Sequence, residues 1–355
     1  MNLQGMTSEI GNVELCQMTA RLMRGEDLSR SGAAGFLECL LSPAVTDAQV
    51  AAALVALATK GETAEELAGM AEAMRNLAVR LHSQHRNYID TAGTGASAAK
   101  TFNVSTAAAF VIAGAGLPVA KHGARAATSN CGSADVLEAL GVNTAASPEI
   151  VKRCLDEHGV CFMFAPLFHR ATARVAQVRR QLGVRTTFNL LGPLTNPAHA
   201  PFQILGVWHP SLLERVASAL SLLGVDKAWV VHGADGLDEI TITDKTFVAA
   251  SSSNRGVQTF TISPQDFGLE QQSLDGFRGS GPQANAQLIR AILRRETTKE
   301  MIAARGLVII NAAAALHVAG FAQNLCEAAT FARESIDSGR AESKLDALIR
   351  ETNRS

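Results

Sequence analysis

The chain has 355 residues, of which 47% are hydrophobic and 18% are charged, so it is long enough to form two domains with buried cores. Its 32 Lys and Arg residues against 33 Asp and Glu residues give a net charge of −1, which excludes bulk electrostatic attraction to nucleic acid or to an anionic membrane. The six cysteines are scattered without a Cys-x-x-Cys pair, which argues against a disulfide framework or a zinc knuckle and favours a cytoplasmic protein with reduced thiols.

The hydropathy pattern predicts no membrane segment. The first residues lack a basic stretch followed by an apolar core, so we expect no signal peptide. The longest apolar stretch begins at Gly306 and is interrupted by Asn311 and His317. It is short for a membrane span, and we therefore expect a buried core helix there.

The first part of the chain is predicted to be entirely helical. Over residues 8–80 the apolar residues recur at helical spacing, with no strand-like alternation. Two capping boxes mark helix starts, Thr46 with Gln49 and Thr63 with Glu66.

From Tyr88 onward, short apolar runs alternate with helical segments. The strand-like runs are YID, LPVAKHG, VCFMFA, QILGVWHP and KAWVVHG. This alternation predicts an α/β domain with a mostly parallel central sheet flanked by helices. The segment FNLLGPLTNP is interpreted as a helix end followed by turns, and two or three helices are expected from about Ala284 onward.

The stretch DTAGTGASAAKTFNVSTA (residues 90–107) has the composition of a phosphate-binding turn. Gly93 and Gly95 follow a predicted strand and precede a predicted helix, where backbone N–H groups can bind phosphate. Ser105 and Thr106 add hydroxyl groups at the helix start that can bind phosphate or a metal ion. The alternative is a plain strand-to-helix turn capped by Ser and Thr.

Two further segments carry basic side chains suited to anionic ligands. Lys121 and His122 lie where a predicted strand ends, which is where open α/β sheets bind ligands, and the turn before Ser133 offers a second anion site. Arg179 can bind a carboxylate through two parallel hydrogen bonds. The alternatives are a solvated basic turn and a surface arginine on an amphipathic helix.

The adjacent acids Asp238 and Glu239 follow the apolar strand run AWVV in a polar loop. Magnesium prefers oxygen ligands and commonly bridges carboxylates to substrate phosphates, so this pair is a candidate metal site. The alternative is two exposed loop acids.

Together these segments closely resemble the anthranilate phosphoribosyltransferase family over residues 10–345, nearly the whole chain. The resemblance is carried by the motifs TFNVSTA, VAKHG, GSADVLEALGV, VRRQLGVRTTFNLLGPLTNPA, LGVWHP and VVHGADGLDEI. It implies a small all-helical domain, residues 6–82 with about 170–198, and a larger α/β domain, residues 83–169 with 199–350. The active site would lie in the hinge cleft between them.

The resemblance also implies an activity and its partners. The family transfers the phosphoribosyl group of 5-phosphoribosyl 1-diphosphate to the amine of anthranilate in tryptophan biosynthesis, uses Mg²⁺ and releases diphosphate. It implies a homodimer formed through the helical domain and no membrane partner. The near-neutral charge of the chain disfavours binding of nucleic acid.

Carried over residue by residue, the resemblance implies three groups of site residues and no protein nucleophile. Phosphoribosyl diphosphate would be bound by Gly93, Thr94, Gly95, Ser97, Thr101, Asn103, Ser105, Thr106, Lys121 and Ser133. Anthranilate would be bound by Gly93, His122, Ala124, His169 and Arg179, with Arg179 meeting the carboxylate. The metal would be held by Ser105, Asp238 and Glu239.

The chain departs from the family pattern only around the two substrates. The family's GTGGD is Gly93-Thr94-Gly95-Ala96-Ser97 here, its KHGNR has Ala124 in place of Asn, and its SSKSGSAD is TSNCGSAD at residues 128–135. These changes leave open a paralogue with a different aromatic acceptor. A nucleic-acid-binding relative is supported only by the basic stretch from Arg170 to Arg185. The match over VRRQLGVRTTFNLLGPLTNP speaks against a nucleoside phosphorylase, which shares the architecture.

Overall fold

The computed structural model describes residues 3–95, 101–126, 131–253, 256–274, 281–296, 298 and 301–354, and for residues 3–11 it describes the backbone alone. The chain opens with four helices: α1 (Leu3–Met23), α2 (Arg30–Leu41), α3 (Asp47–Lys60) and α4 (Ala64–Asn76). Both predicted capping boxes are confirmed, since the Thr46 and Thr63 side chains accept the N–H groups of Gln49 and Glu66, whose side chains accept the cap N–H groups in return. Caps of this kind stabilise a helix by about 1 kcal/mol each.

A seven-stranded sheet follows, made of β1 (Ile89–Gly93), β2 (Val119–Gly123), β3 (Val160–Phe164), β4 (Phe202–Gly206), β5 (Lys227–Gly233), β6 (Thr246–Ser252) and β7 (Gly256–Ile262). The strand order is β3-β2-β1-β4-β5-β6-β7, and every neighbouring pair from β3 to β5 is parallel. The expected mostly parallel sheet is thereby confirmed. The antiparallel hairpin of β6 and β7 was not predicted, because β7 is a largely exposed edge strand without an apolar run.

The strand order places a switch point between β1 and β4. From β1 the chain builds outward to β2 and β3, and it then returns to lay β4 on the other side of β1. The loops that leave β1 and β4 at their carboxyl ends therefore diverge and open a crevice, which is where α/β sheets of this kind bind ligands.

Eleven helices surround the sheet in the described structure: α5 (Val104–Ala115), α6 (Ser133–Ala139), α7 (Pro148–His158), α8 (Ala165–Phe168), α9 (Ala173–Leu182), α10 (Phe188–Leu194), α11 (Leu213–Leu222), α12 (Pro282–Leu293), α13 (Met301–Val318), α14 (Leu325–Asp337) and α15 (Arg340–Thr352). The described residues of the tail form four helices, α12 to α15, so the expectation of two or three was wrong. The apolar stretch around Asn311 forms α13, whose mean hydropathy of 1.7 over 18 residues would suit a membrane span, but 72% of it is buried inside the protein. It packs against α5 and α14 as a core helix.

The interpretation of FNLLGPLTNP as a helix end and turns was wrong in part, because its first seven residues form α10 with Pro193 inside the last turn. A helix this short leaves its final carbonyl groups without intrahelical partners. Side chains from distant segments supply the donors: His122 Nδ1 lies 3.2 Å from the Gly192 carbonyl, Gln203 Nε2 donates to Pro193 at 2.6 Å and Arg75 Nε to Leu194 at 2.9 Å. Tertiary contacts thus support a helix that its own sequence disfavours.

Two hydrophobic cores lie on opposite faces of the sheet. Successive residues of β5 alternate between them, with Ala228 and Val230 in one core and Trp229 and Val231 in the other. The first core also contains α1 to α4, α9, α10 and α11, and the second contains α5 and α13. The opening helices are therefore joined to the sheet through α11 and through the pair α9 and α10.

Candidate active site

A cavity of about 610 Å³ opens at the carboxyl ends of β1 and β2 and is closed on the far side by α9 and α10. All but one of the predicted site residues line this single cavity: Gly93, Thr94, Gly95, Thr101, Asn103, Ser105, Thr106, Lys121, His122, Ala124, Ser133, His169, Arg179, Asp238 and Glu239. Ser97, like Ala96, lies outside the described residues. The fold thus brings together groups that are spread over some 150 positions of sequence, about two fifths of the chain.

The glycine turn after β1 lies directly against the acidic loop. Gly95 has a φ of +65°, a backbone conformation that favours glycine, and its N–H donates to Asp238 Oδ2 at 2.9 Å. A Cβ added at Gly93 would lie 3.2 Å from the same carboxylate oxygen. The turn therefore has its backbone close to Asp238, and the Gly95 N–H points to a negatively charged group.

Hydroxyl groups at the start of α5 face the cavity. The hydroxyl oxygens of Thr101 and Thr106 are buried and have no hydrogen-bond partner within the described structure. Asn103 is held from two sides, since its Nδ2 donates to the Cys131 carbonyl at 3.2 Å and its Oδ1 accepts from Asn285 Nδ2 at 3.0 Å. Buried polar groups normally have a partner, so the two threonines fit a polar ligand in the cavity. Asn285 was not anticipated from the sequence.

Lys121 is a buried cation, 4% exposed, in the middle of β2. Its Nζ donates to Ser105 Oγ at 3.2 Å and to the carbonyl of Thr91. Burial lowers the pKa of Lys121, while the charges of Asp90 and Glu239 oppose this shift. A buried ammonium in a cavity that also contains two unpartnered hydroxyls is suited to an anionic group such as phosphate.

Asp90 is a site-supporting residue that the sequence did not reveal. It is completely buried in β1, and its Oδ1 accepts the His122 N–H at 3.2 Å. Burial raises the pKa of Asp90 to about 6, with the Lys121 charge acting in the opposite direction. The only signal in the sequence was an acid inside an apolar strand run.

His122 and His169 form a pair of neutral rings whose centroids lie 5.0 Å apart. His122 Nδ1 lies 3.2 Å from the Gly192 carbonyl and His169 Nε2 lies 3.0 Å from that of Thr195, so these nitrogens carry the hydrogens. The remaining nitrogens, His122 Nε2 and His169 Nδ1, are buried and have no partner among the described residues. Burial lowers the pKa of His122 to about 3 and that of His169 to about 4, so both rings are neutral at pH 7 and offer acceptors.

Arg179 extends from α9 into the same cavity. Its Nε donates to Thr186 Oγ1 at 3.1 Å and its Nη2 to Asn189 Oδ1 at 3.3 Å, and its guanidinium lies 5.4 Å from the centre of the Phe188 ring. Burial lowers the pKa of Arg179. Both hydrogen-bond partners are neutral, so the arrangement holds the guanidinium in place while leaving its charge for a ligand.

The turn between β2 and α6 carries Ala124 and Ser133. Ser133 Oγ donates to the Ala124 carbonyl at 3.3 Å, and Asp135 accepts the N–H groups of Ala126 and Gly132 at 3.0 and 2.8 Å. Asp135 also pairs with Arg125 at 3.1 Å. Ala124 thus lines the cavity at a point where its carbonyl is held by the Ser133 hydroxyl.

The acids Asp238 and Glu239 complete the wall with oxygen ligands. Burial raises the pKa of Glu239 to about 8, the neighbouring Asp238 charge adds to this shift, and Lys121 opposes it. In the described part of the chain no three His, Cys, Asp or Glu side chains group together as a metal site. Two carboxylates and the Ser105 hydroxyl fit Mg²⁺, which binds few protein oxygens and otherwise takes water or phosphate. A divalent cation here would also offset the repulsion between the two acids.

Known proteins are similar to this chain in both sequence and fold. The glycosyl transferase family model for the a/b domain matches residues 85–342, and the model for the helical bundle domain of that family matches residues 17–78. The anthranilate phosphoribosyltransferase of Desulfosudis oleivorans is 49% identical over 333 residues, 94% of this chain and 97% of that protein. That of Moorella thermoacetica is 47% identical over 330 residues, 93% of this chain and 96% of that protein.

Solved structures agree with this. The crystal structure of the Thermus thermophilus anthranilate phosphoribosyltransferase superposes with a TM-score of 0.86 at 39% identity, covering 95% of this chain and 99% of that one. The Saccharomyces cerevisiae enzyme in complex with PRPP and Mg superposes with a TM-score of 0.85 at 29% identity, covering 95% and 97% of the two chains. The helical domain and the larger α/β domain with its mostly parallel sheet are thus those of a known fold.

Proposed function

We propose that this chain transfers the phosphoribosyl group of 5-phosphoribosyl 1-diphosphate to the amine of anthranilate. It belongs to the glycosyl transferase family, as do the anthranilate phosphoribosyltransferases that it resembles over more than nine tenths of its length. The observation that carries the proposal is a single cavity lined both by phosphate-suited groups, Lys121 and the unpartnered threonine hydroxyls, and by Arg179 and two neutral histidines. The products are N-(5-phosphoribosyl)anthranilate and diphosphate, a step of tryptophan biosynthesis.

At the donor end, Lys121 and the hydroxyls of Thr101 and Thr106 bind phosphate oxygens. Lys121 is preorganised, because its Nζ donates to Ser105 Oγ and to the Thr91 carbonyl of β1. Ser105, Asp238 and Glu239 would hold Mg²⁺, which when bound neutralises charge on the leaving diphosphate.

At the acceptor end, Arg179 binds the anthranilate carboxylate through its guanidinium. The free acceptor nitrogens of His122 and His169 receive N–H groups of the amine and orient its lone pair toward the sugar. Catalysis then rests on positioning two substrates and stabilising the departing diphosphate, and no covalent intermediate with the protein is involved.

The boundary of the helical domain at residues 6–82 with about 170–198, a homodimer through that domain and a cytoplasmic location are part of the same proposal. Support for the dimer comes from the exposed apolar side chains of α1, where Val13 is 56% and Met23 is 76% exposed. Isolated apolar residues are common on surfaces, so sedimentation of the purified protein is the test of its oligomeric state.

The activity is tested by following anthranilate fluorescence after adding the protein, 5-phosphoribosyl 1-diphosphate and Mg²⁺. We expect the fluorescence to fall, and the fall to stop when Mg²⁺ is withheld. Diphosphate release is measured in parallel with other aromatic amines. Release with another amine but not with anthranilate would replace the proposed acceptor, and no release with any amine by folded protein would refute the transferase activity.

A further inference from the structure

The core helix α13 contains one polar side chain among its buried residues, Asn311, which is 4% exposed. Its neighbours along the helix, Ile309, Ile310, Ala312 and Ala313, are all apolar and buried. Burying a carboxamide among such residues is costly unless all of its polar atoms are hydrogen-bonded. The position therefore calls for a structural or functional reason that the apolar core does not supply.

Asn311 bonds both backbone polar groups of Ile240, the residue directly after Glu239. Its Oδ1 accepts the Ile240 N–H at 3.0 Å, and its Nδ2 donates to the Ile240 carbonyl at 2.8 Å. The same Nδ2 also donates to the Leu307 carbonyl of its own helix at 2.8 Å, which fixes the orientation of the amide. One side chain thus sets the direction of the backbone immediately beyond the acidic pair.

The other side of the acidic loop presses on β4. A Cβ placed on Gly206 would lie 1.7 Å from the Asp238 carbonyl oxygen, so only glycine lets the loop approach the strand this closely. Beyond Ile240, Thr241 Oγ1 and Thr243 Oγ1 donate to Asp235 at 2.5 and 2.7 Å. The loop is therefore clamped between β4 and α13, with Asp238 and Glu239 left facing the cavity.

We infer that Asn311 is a positioning residue that holds the carboxylates of Asp238 and Glu239 where a divalent cation binds. The inference rests on the proposed function only for the identity of the cation's phosphate partner. Asn311 itself lies in the core and reaches the site through Ile240. Groups that orient ligands in this indirect way typically change metal affinity by about 10–100-fold when removed.

The test compares Asn311→Leu with Leu316→Ala. Leu316 is fully buried on the same helix, and its replacement leaves the hydrogen bonds between Asn311 and Ile240 intact. Binding of Mn²⁺ alone, followed by loss of the free-ion signal in electron paramagnetic resonance, measures affinity without any turnover. Amide hydrogen exchange at Ile240 reports the lost bond directly. Steady-state assays add the Mg²⁺ concentration for half-maximal rate and kcat at saturating Mg²⁺.

We expect Asn311→Leu to weaken Mn²⁺ binding and to raise the half-saturating Mg²⁺ concentration by about tenfold or more, as for other groups that orient metal ligands. The kcat at saturating Mg²⁺ should change less than about threefold. Amide exchange at Ile240 should become faster. Leu316→Ala should lower Tm without moving the metal dependence. Equal metal affinity in wild type and Asn311→Leu would overturn the inference. Asn311→Ala is the second variant if the leucine protein does not fold, because alanine matches the four residues that follow it in α13.

Failure of the proposed transferase activity can be distinguished from failure of the inference about Asn311. If wild-type protein consumed no anthranilate, the proposed activity would fail, but Mn²⁺ binding and Ile240 exchange would still test the role of Asn311.

Discussion

Replacing Arg179 by Gln tests the acceptor end of the cavity. The guanidinium is held by Thr186 and Asn189, both neutral, so its removal leaves no protein carboxylate buried without a partner. Asn189 Oδ1 also accepts the Thr186 N–H at 3.1 Å and thus keeps a donor in the variant. The loss of activity should therefore report the contact with the substrate carboxylate and little else.

A hydrogen bond to a charged group contributes about 1.5–3 kcal/mol, which corresponds to a loss of roughly 10- to 150-fold in kcat/KM for anthranilate. The KM for 5-phosphoribosyl 1-diphosphate should change less than about twofold, since the hydrogen bonds of Arg179 go to Thr186 and Asn189 and not to the phosphate-suited groups after β1 and β2. Burial lowers the pKa of Arg179, so the folded protein already disfavours this charge, and the free energy of unfolding should not fall.

Steady-state kinetics with each substrate varied in turn, together with urea unfolding, measure these quantities. Arg179→Lys retains the charge but loses the planar fork, so it should fall between wild type and Arg179→Gln. An equal loss toward both substrates, or a free energy of unfolding that falls along with kcat/KM, would refute the assignment of Arg179 to the carboxylate.

Three further predictions concern the acidic loop and the turn after β2. The pKa of Glu239 is raised from 4.5 to about 8, so without metal the free energy of unfolding should fall as pH rises through this interval. Mn²⁺ binding should strengthen toward pH 8, because the ion displaces the proton. Glu239→Gln should flatten both pH profiles, which are measured by unfolding and by binding titrations. Gly206→Ala must push the Asp238 carbonyl away by more than an ångström and should lower kcat/KM by roughly 100-fold, whereas Gly35→Ala, with no neighbour near its added Cβ, should leave it unchanged. Ala124→Asn adds an amide to the cavity wall, where we propose that it lies between the two substrates, and should raise kcat/KM. An unchanged value would show that this position does not align them.

The secondary-structure predictions were confirmed where contacts between residues close in the sequence determine the structure. The capping boxes at Thr46 and Thr63 are satisfied within four residues, so their chemistry is readable from the sequence alone. The alternation of strands and helices likewise indicated a parallel sheet, because parallel strands need crossover connections. The predictions failed where partners come from elsewhere: α10 ends on donors from His122, Gln203 and Arg75, and the exposed strand β7 is held by pairing with β6.

The candidate site shows the same division. Its residue types and motifs were identified from the sequence, and fifteen of the sixteen predicted side chains or backbone positions line one cavity, with Ser97 outside the described residues. Asp90 and Asn311 carried no usable signal beyond being polar residues in apolar runs. Their roles follow from bonds to His122 and Ile240, which lie far away along the chain.

The sequence by itself determined the helical first part, the mostly parallel sheet, the family resemblance and the chemistry available to the site. Tertiary structure alone decided that the Gly95 N–H meets Asp238, that the two histidines keep one free acceptor each, and that Asn311 holds the acidic loop. The physical reason is that propensity, capping and periodicity act between near neighbours, whereas these contacts depend on how β1 and β4 are placed side by side and on what α13 packs against.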